Sequence, residues 1–313
     1  MGLGKPRRGS AVARVHKGLA NPNGGMSTLT TPPIEHTRTI AEPELRLVLP
    51  GRAENVALVR RALSGVVDLL ELGDARLLDI NAAVSEACNN VVVHAYEGAE
   101  GPMDVYLWIQ PTELEVIVRD HGVGIRPNVP EPGVEVQGLG LSLIQALTDR
   151  VEFLGGMGQG TSVRMSFAYD DGSEQLPDGD RGNEPEAAAP PGELSIAVSS
   201  GPLAAPVLGR VIAMLAARAE FSLEGISEAE LVTDAVAAHA PRAIVGNRIQ
   251  LGIDRPDGQL VLRVGPLQEG GATRVLQASA LDDLPPVLER LTEHRGVESS
   301  GDGELLCLVL GAR

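Results

Sequence analysis

The stretch Ser85-Glu86-Ala87-Cys88-Asn89-Asn90 is followed by Asp120-His121-Gly122-Val123-Gly124 and then by Gly138-Leu139-Gly140-Leu141. A turn at Gly158-Gln159-Gly160-Thr161 then leads into a last apolar segment. Each motif alone is weak, because glycine-rich fragments mark turns far more often than ligand sites. Their fixed order within residues 77–161 indicates a single ATP site.

The segments around these motifs alternate between strand and helix patterns. Leu45, Leu47 and Leu49 recur with the period of a half-buried strand. Apolar residues then recur at helical spacing in two successive segments, and a strand hairpin delivers Asp120 at its end. The predicted elements are a strand at 44–49, helices at 53–72 and 74–94, strands at 103–110 and 113–119, a helix at 139–148, and strands at 150–155 and 161–169. This order predicts an α+β fold, a two-layer α/β sandwich with helices on one face of a mostly antiparallel sheet.

The rest of the chain repeats this order of elements. Glu193-Leu-Ser-Ile-Ala-Val parallels Glu44-Leu-Arg-Leu-Val-Leu, and signals for two helices, a hairpin, a further helix near Leu284 and a final strand follow. Aligning the two copies sets Glu86 opposite Asp234, Asn90 opposite Ala238, Asp120 opposite Pro266 and Thr161 opposite Glu304. We therefore predict a tandem repeat whose degenerate second copy does not bind ATP.

Composition shifts divide the chain. Residues 1–43 are rich in Gly, Pro, Ser and Thr and are predicted to be a disordered extension, and the acidic, Pro- and Gly-rich residues 170–192 are predicted to be a flexible linker. The ATP-binding domain is then expected at 44–169 and the degenerate copy, a pseudo-domain, at 193–313.

Charge and composition exclude several classes of protein. The formal charge of −16 argues against nucleic-acid or membrane-surface binding, since both need clustered Lys and Arg. Cys88 and Cys307 have no His or Cys beside them at metal-ligand spacing, so we expect two small buried thiols in a reducing compartment. No apolar run approaches the roughly 20 residues that span a bilayer, and the N-terminal residues are too interrupted for a signal peptide. A cytoplasmic location is expected.

Glu86 and Asn90 are four residues apart and therefore lie on one face of a helix. An amide oxygen there can ligate Mg²⁺, and a carboxylate can orient or deprotonate an attacking hydroxyl. An isolated pair of this kind is usually only an exposed polar face, so its weight comes from the motifs that follow.

Asp120 sits where a strand ends in a glycine-bracketed turn. A carboxylate there can accept a hydrogen bond from an exocyclic amine such as that of adenine, and Gly122 and Gly124 let the backbone approach a ring. Gly138 and Gly140 precede a helix, whose first N–H groups favour phosphates. The Thr161 hydroxyl either reaches the adenine edge or caps a strand.

Together, Glu86-x-x-x-Asn90, Asp120-x-Gly122-x-Gly124 and Gly138-x-Gly140 resemble the N, G1 and G2 boxes of the GHKL, or Bergerat, ATP-binding fold. The residues within these motifs, with Val-His-Ala-Tyr after the first one, are similar to those of the anti-sigma factor serine/threonine kinases of bacterial stress and sporulation control. Over residues 44–169 the resemblance implies that Glu86 is the general base, Asn90 the Mg²⁺ ligand, Asp120 the adenine contact and residues 126–137 a short lid. The implied ATP contacts also include Gly122, Gly124, Gly138, Leu139, Gly140, Leu141, Gly160 and Thr161.

The resemblance also implies partners. Members phosphorylate a serine or threonine on a STAS-type anti-anti-sigma protein and hold a sigma factor inactive. They usually form homodimers of one domain, so the second copy here is expected to take the place of the second protomer as an intramolecular pseudo-dimer, with a homodimer as the alternative. A second functional hypothesis is an ATP-sensing regulator without turnover, whose pseudo-domain holds the partner. A histidine kinase and a gyrase-like enzyme fit the sequence less well.

Overall fold

The computed structural model describes residues 42–124, 139–156, 158–169, 189–278 and 286–312. The predicted extension at 1–43 and linker at 170–192 fall almost wholly outside these ranges, so their state stays a prediction. The region Ile40–Arg313 forms one compact unit. Among the described residues, no helix has both the length and the apolar character needed to cross a membrane.

The first half of the chain has the mixed helix and strand order that the sequence predicts. Its elements are β1 (Leu45–Pro50), α1 (Ala53–Leu69), α2 (Gly73–Asn90), a π-helical turn (Val91–Ala95), β2 (Pro102–Ile109), β3 (Glu113–Asp120), α3 (Leu139–Leu147), β4 (Arg150–Gly155) and β5 (Thr161–Ala168). The predicted helix at 74–94 corresponds to α2 together with the π-helical turn that continues it. Three successive β-branched valines follow Asn90 there, and such residues fit a regular α-helix poorly.

The second half follows the same order with additions. Its elements are β6 (Leu194–Ser199), α4 (Ala204–Arg218), α5 (Leu223–His239), a 3-10 turn (Ala240–Arg242), β7 (Arg248–Asp254), β8 (Gln259–Leu267), α6 (Gly271–Ala278), α7 (Val287–Leu291), β9 (His294–Ser300) and β10 (Gly303–Gly311). Helix α6 has no counterpart among the described residues of the first half. Strand β9 matches β4 in place, although all its residues are exposed.

The ten strands of the described residues form one antiparallel sheet in the order β4-β5-β3-β2-β1-β6-β7-β8-β10-β9. Outward from the β1–β6 junction, each half contributes its strands in the same order: its first, second, third, fifth and fourth. At that junction Leu47 pairs with Ile196. The fold class is therefore α+β, with the mostly antiparallel sheet that the sequence predicts.

The core lies between one face of this sheet and the helices. Leu45, Leu47 and Leu49 alternate inward along β1 and are at most 2% exposed. Each buried leucine of this kind contributes about 1.5–3 kcal/mol to the free energy of unfolding. Helices α1 and α4 pack against each other so closely that a Cβ on Gly65 would lie 2.8 Å from the Pro206 carbonyl oxygen.

The two halves also agree in strand register. The equivalent pairs are Val105–Val118 with Leu251–Val264, and Val118–Val163 with Val264–Leu306. Continuing the first ladder sets Asp120 opposite Pro266, as in the sequence alignment, whereas a register shift between Glu304 and Leu306 interrupts the second ladder before Glu304.

The burial pattern of the helices corrects that alignment at one place. Four buried residues coincide at a constant spacing: Ile80, Ala83, Val84 and Ala87 in α2, and Ala229, Val232, Thr233 and Val236 in α5, while Cys88 and Gly225 are buried in one helix only. Matching these patterns sets Glu86 opposite Ala235 and Asn90 opposite His239. The alignment to Asp234 and Ala238 is one residue out, because two alanine-rich helices fit either register until burial is known.

Candidate nucleotide-binding site

Asp120 is the best-fixed polar side chain of the site. It ends β3, is 4% exposed, and its Oδ1 accepts hydrogen bonds from the backbone N–H groups of Gly122 (2.9 Å) and Thr161 (3.1 Å). Its Oδ2 makes no hydrogen bond with any residue in the described part of the chain. A buried carboxylate with one oxygen fixed and the other unused is ready to accept a hydrogen bond from a ligand amine.

Close backbone contacts hold the turn after β3. Val123 donates its N–H to the Ala95 carbonyl (2.9 Å), and Gly158 donates to the Val123 carbonyl (2.8 Å). Gly124 has φ +77°, and a Cβ there would lie 2.0 Å from the Gly156 oxygen. These contacts hold the turn between the π-helical turn that follows α2 and the β4–β5 turn.

Gly122 and Gly160 also sit where a side chain would collide with backbone. A Cβ on Gly122 would lie 2.0 Å from the Ala95 oxygen, and one on Gly160, whose φ is +72°, would lie 2.1 Å from the Asp120 oxygen. Real Cβ atoms do not approach this closely. The structure therefore brings Asp120, both of these glycines and the first residue of β5 into one small cluster.

Glu86 and Asn90 lie on the same face of α2, and both are partly buried. A Cβ on Gly140 would lie 2.0 Å from Glu86 Oε1, so the carboxylate rests on the first turn of α3. An ion pair between Arg76 and Asp149 joins the opposite ends of the same two helices. Helices α2 and α3 are therefore antiparallel, and the start of α3 lies beside Glu86 in the last turns of α2.

This arrangement fits a magnesium–nucleotide complex. The first N–H groups of α3 have no partner within the helix, and the helix dipole adds positive potential, so anionic phosphates are favoured there. The Glu86 carboxylate is beside that position and the Asn90 amide is one turn further along α2, where its oxygen can ligate Mg²⁺.

The structure leaves some predicted site residues untested. Gly138 and the predicted lid at 126–137 lie outside the described residues. Leu139 begins α3, and Leu141 is 46% exposed on that helix. Thr161 contributes its backbone N–H to Asp120, so the choice between its two predicted hydroxyl roles stays open.

A second polar group beside the turn was missed by the sequence analysis. His121 donates its backbone N–H to the Tyr96 hydroxyl (3.0 Å), and its Nε2 lies 2.9 Å from Asp104 Oδ2. Tyr96 in turn donates to the Pro102 carbonyl. Burial raises the pKa of the Tyr96 phenol, which keeps it protonated as a donor. The motifs Val-His-Ala-Tyr and Asp-His-Gly are visible in the sequence, but pairing across 25 residues is not.

Comparison with known proteins agrees with this geometry. Residues 49–167 match the model of the histidine kinase-like ATPase domain. The serine-protein kinase RsbW of Bacillus mycoides is 30% identical over 123 residues, a match that covers 36% of this chain and 77% of that protein. The RsbW protein of Bacillus anthracis has the same identity and coverage.

Solved structures give weaker likenesses. The histidine kinase domain of the Erythrobacter litoralis EL346 blue-light activated histidine kinase is 25% identical, covers 30% of this chain and 45% of that chain, and has a TM-score of 0.26. The mycobacterial sensor histidine kinase MprB is 20% identical, with coverages of 36% and 92% and a TM-score of 0.25.

Proposed function

The chain belongs to the family of the serine-protein kinase RsbW, and we propose that it is an ATP-dependent serine/threonine kinase that acts through the site around Glu86 and Asp120. The observation that carries the proposal is the position of the Glu86 carboxylate on the first turn of α3. A carboxylate at this place lies beside the expected phosphates and can meet an incoming hydroxyl group.

Each site residue has a separate role in this proposal. Asp120 accepts a hydrogen bond from the adenine amine through its unused Oδ2, while Gly122 and Gly124 let the backbone lie against the ring. The start of α3 binds phosphate oxygens, and the Asn90 amide oxygen ligates Mg²⁺. When bound, ATP supplies the phosphoryl group, and Mg²⁺ offsets the negative charge of its phosphates.

Glu86 acts on the protein substrate. Its carboxylate orients the serine or threonine hydroxyl and accepts the proton as the oxygen bonds to the γ-phosphorus, while the bond from that phosphorus to the β–γ bridging oxygen breaks and ADP leaves. Positioning of this kind, together with proton acceptance, typically contributes about 10²–10⁴-fold to a rate. Loss of Glu86 should therefore slow transfer far more than it weakens nucleotide binding.

The partners follow from the family. We propose that the phosphorylated substrate is a STAS-type anti-anti-sigma protein and that the chain also holds a sigma factor inactive, in transcriptional stress regulation. The net charge of −16 fits a protein partner better than nucleic acid.

We also propose that residues 193–313 are a degenerate copy of the first half. The mirrored strand order, the Leu47–Ile196 pairing and the matching burial of α2 and α5 support this repeat. Ala235 and His239 replace the acid and the amide, so the copy lacks the proposed chemistry. It covers the β1 edge and packs α4 on α1, which gives an intramolecular pseudo-dimer.

The test is transfer of the γ-phosphate from labelled ATP to a STAS-type protein by the full-length chain. We expect Glu86→Gln to lower the transfer rate at least 10²-fold and to keep nucleotide affinity within a few-fold. Glu230→Gln is the matched control, because Glu230 is exposed on α5, in the second half of the chain. Normal transfer by Glu86→Gln would overturn the assigned base, and tight ATP binding without transfer in the unmodified chain would favour the ATP-sensing regulator.

A further inference from the structure

The turn after β8 keeps the shape of the turn after β3. Gly270 falls opposite Gly124, and their φ values are +68° and +77°. Gly303 falls opposite Gly160, and a Cβ on Gly303 would lie 2.3 Å from the Leu267 oxygen, much as a Cβ on Gly160 meets Asp120. The two turns therefore share a glycine of positive φ and a close contact between a glycine and the preceding strand, although Gly303 has φ +145° where Gly160 has +72° and Pro266 aligns with Asp120.

The next element of the second half is a helix. The chain passes from Gly270 directly into α6 (Gly271–Ala278). This helix packs against α5, the counterpart of the helix that carries Glu86, and against β10. Ala272 and Val275 are buried at 0% and 1% exposure. Apolar side chains of α6 thus fill the space between α5 and β10.

Glu304 holds this helix in place. Its Oε1 accepts a hydrogen bond from the Gly270 N–H (2.8 Å), and its Oε2 accepts one from the Ala272 N–H (3.2 Å). Glu304 is the second residue of β10, and Thr161, with which the sequence alignment matches it, is the first residue of β5. A carboxylate of the chain therefore satisfies N–H groups at the start of α6 that have no partner within the helix.

We propose that α6, held by Glu304, is a built-in plug that closes the second half's counterpart of the nucleotide cleft without any ligand. The proposal rests on the repeat proposed above. In this proposal the second half is closed without ATP. The chain then has one nucleotide site, and only the first half responds to nucleotide.

The plug is tested by hydrogen–deuterium exchange on the full-length chain, read on peptides covering residues 271–278. We expect these amides to be protected without nucleotide and to be unchanged by ADP. Glu304→Ala should speed their exchange at least ten-fold, and Glu304→Gln, which keeps one acceptor oxygen, should have an intermediate effect. Glu230→Ala, at an exposed position of α5, is the matched control and should leave them unchanged.

The contrary outcomes are distinct. Fast exchange of α6 in the unmodified protein, or no effect of Glu304→Ala, would overturn the plug. So would protection of α6 by ADP in an Asp120→Asn variant, since that would show nucleotide in the second half. The Glu304→Ala comparison is made without nucleotide, so its result does not depend on whether the first half is a kinase.

Discussion

Glu86 and Gly140 are in direct contact: a Cβ on residue 140 would lie 2.0 Å from Glu86 Oε1. Gly140 is the second residue of α3 rather than part of a flexible loop. Its lack of a side chain lets the helix start reach the carboxylate. The position of the proposed base therefore depends on a glycine that is 54 residues away in the sequence.

Gly140→Ala should impair transfer more than binding. The added methyl group must push the Glu86 carboxylate aside or shift the start of α3, so the phosphotransfer rate should fall at least ten-fold. A misplacement of about 1 Å is enough for such losses. The measurement is the single-turnover transfer rate alongside ADP affinity. Gly209→Ala is the control, because no heavy atom lies within 4 Å of a Cβ built at that helical position. An unchanged rate in Gly140→Ala would show that this contact does not position Glu86.

Gly65→Ala should destabilise the junction between the halves. Its Cβ would lie 2.8 Å from the Pro206 oxygen, where α1 meets α4, and overpacking of this kind costs about 1–3 kcal/mol. Urea unfolding of the full-length chain measures the change. Gly209→Ala should instead stabilise α4 slightly, by about 0.5–1 kcal/mol, since alanine favours helix. Equal stabilisation by both variants would contradict the close packing of α1 on α4.

Cys88 should be unreactive in the folded chain. It lies on α2 between Glu86 and Asn90, is fully buried, and burial raises the pKa of its thiol to about 12. The nucleophilic thiolate is therefore nearly absent at pH 8. In a Cys307→Ala variant, labelling by a disulfide reagent should be at least ~100-fold slower when folded than in urea. Rapid labelling of the folded protein would show that α2 opens around the site.

The plug should weaken only in acid. The N–H groups of Gly270 and Ala272 lower the pKa of Glu304, so its folded pKa lies below the ordinary value of about 4.3. The stabilisation is complete above that ordinary value and is lost as pH falls through the lower folded pKa. Exchange of residues 271–278, corrected for intrinsic rates, should be constant from about pH 5 to 8 and rise below about pH 4. Glu304→Gln should lack this acid-dependent rise, and the same rise in the variant would assign it to another group.

Much of the first half could be predicted because its signals are local. Leu45, Leu47 and Leu49 show the strand period of β1, and the predicted strands at 150–155 and 161–169 match β4 and β5 within one residue. The hairpin that ends at Asp120 was predicted within one residue for the same reason. These elements carry their own periodicity and turn residues, so no tertiary information was needed.

The elements that were missed depend on distant partners. Helix α6 begins at the second of two successive glycines, and Glu304, which accepts its first hydrogen bonds, is 34 residues from Gly270. Strand β9 has no buried face and forms because β10 offers it hydrogen bonds. The Glu86–Gly140 contact and the His121–Asp104 pair likewise arise from packing, which no local pattern encodes.

The central claim is that the first half alone holds ATP through Asp120, and the most direct measurement is calorimetric titration of Mg·ADP into the full-length chain. We predict one site per chain, with affinity reduced at least ten-fold in Asp120→Asn because the amide nitrogen cannot accept from the adenine amine. Asp257→Asn, in the exposed β7–β8 turn, should bind as the unmodified chain does. Unchanged affinity and stoichiometry in Asp120→Asn would contradict the account.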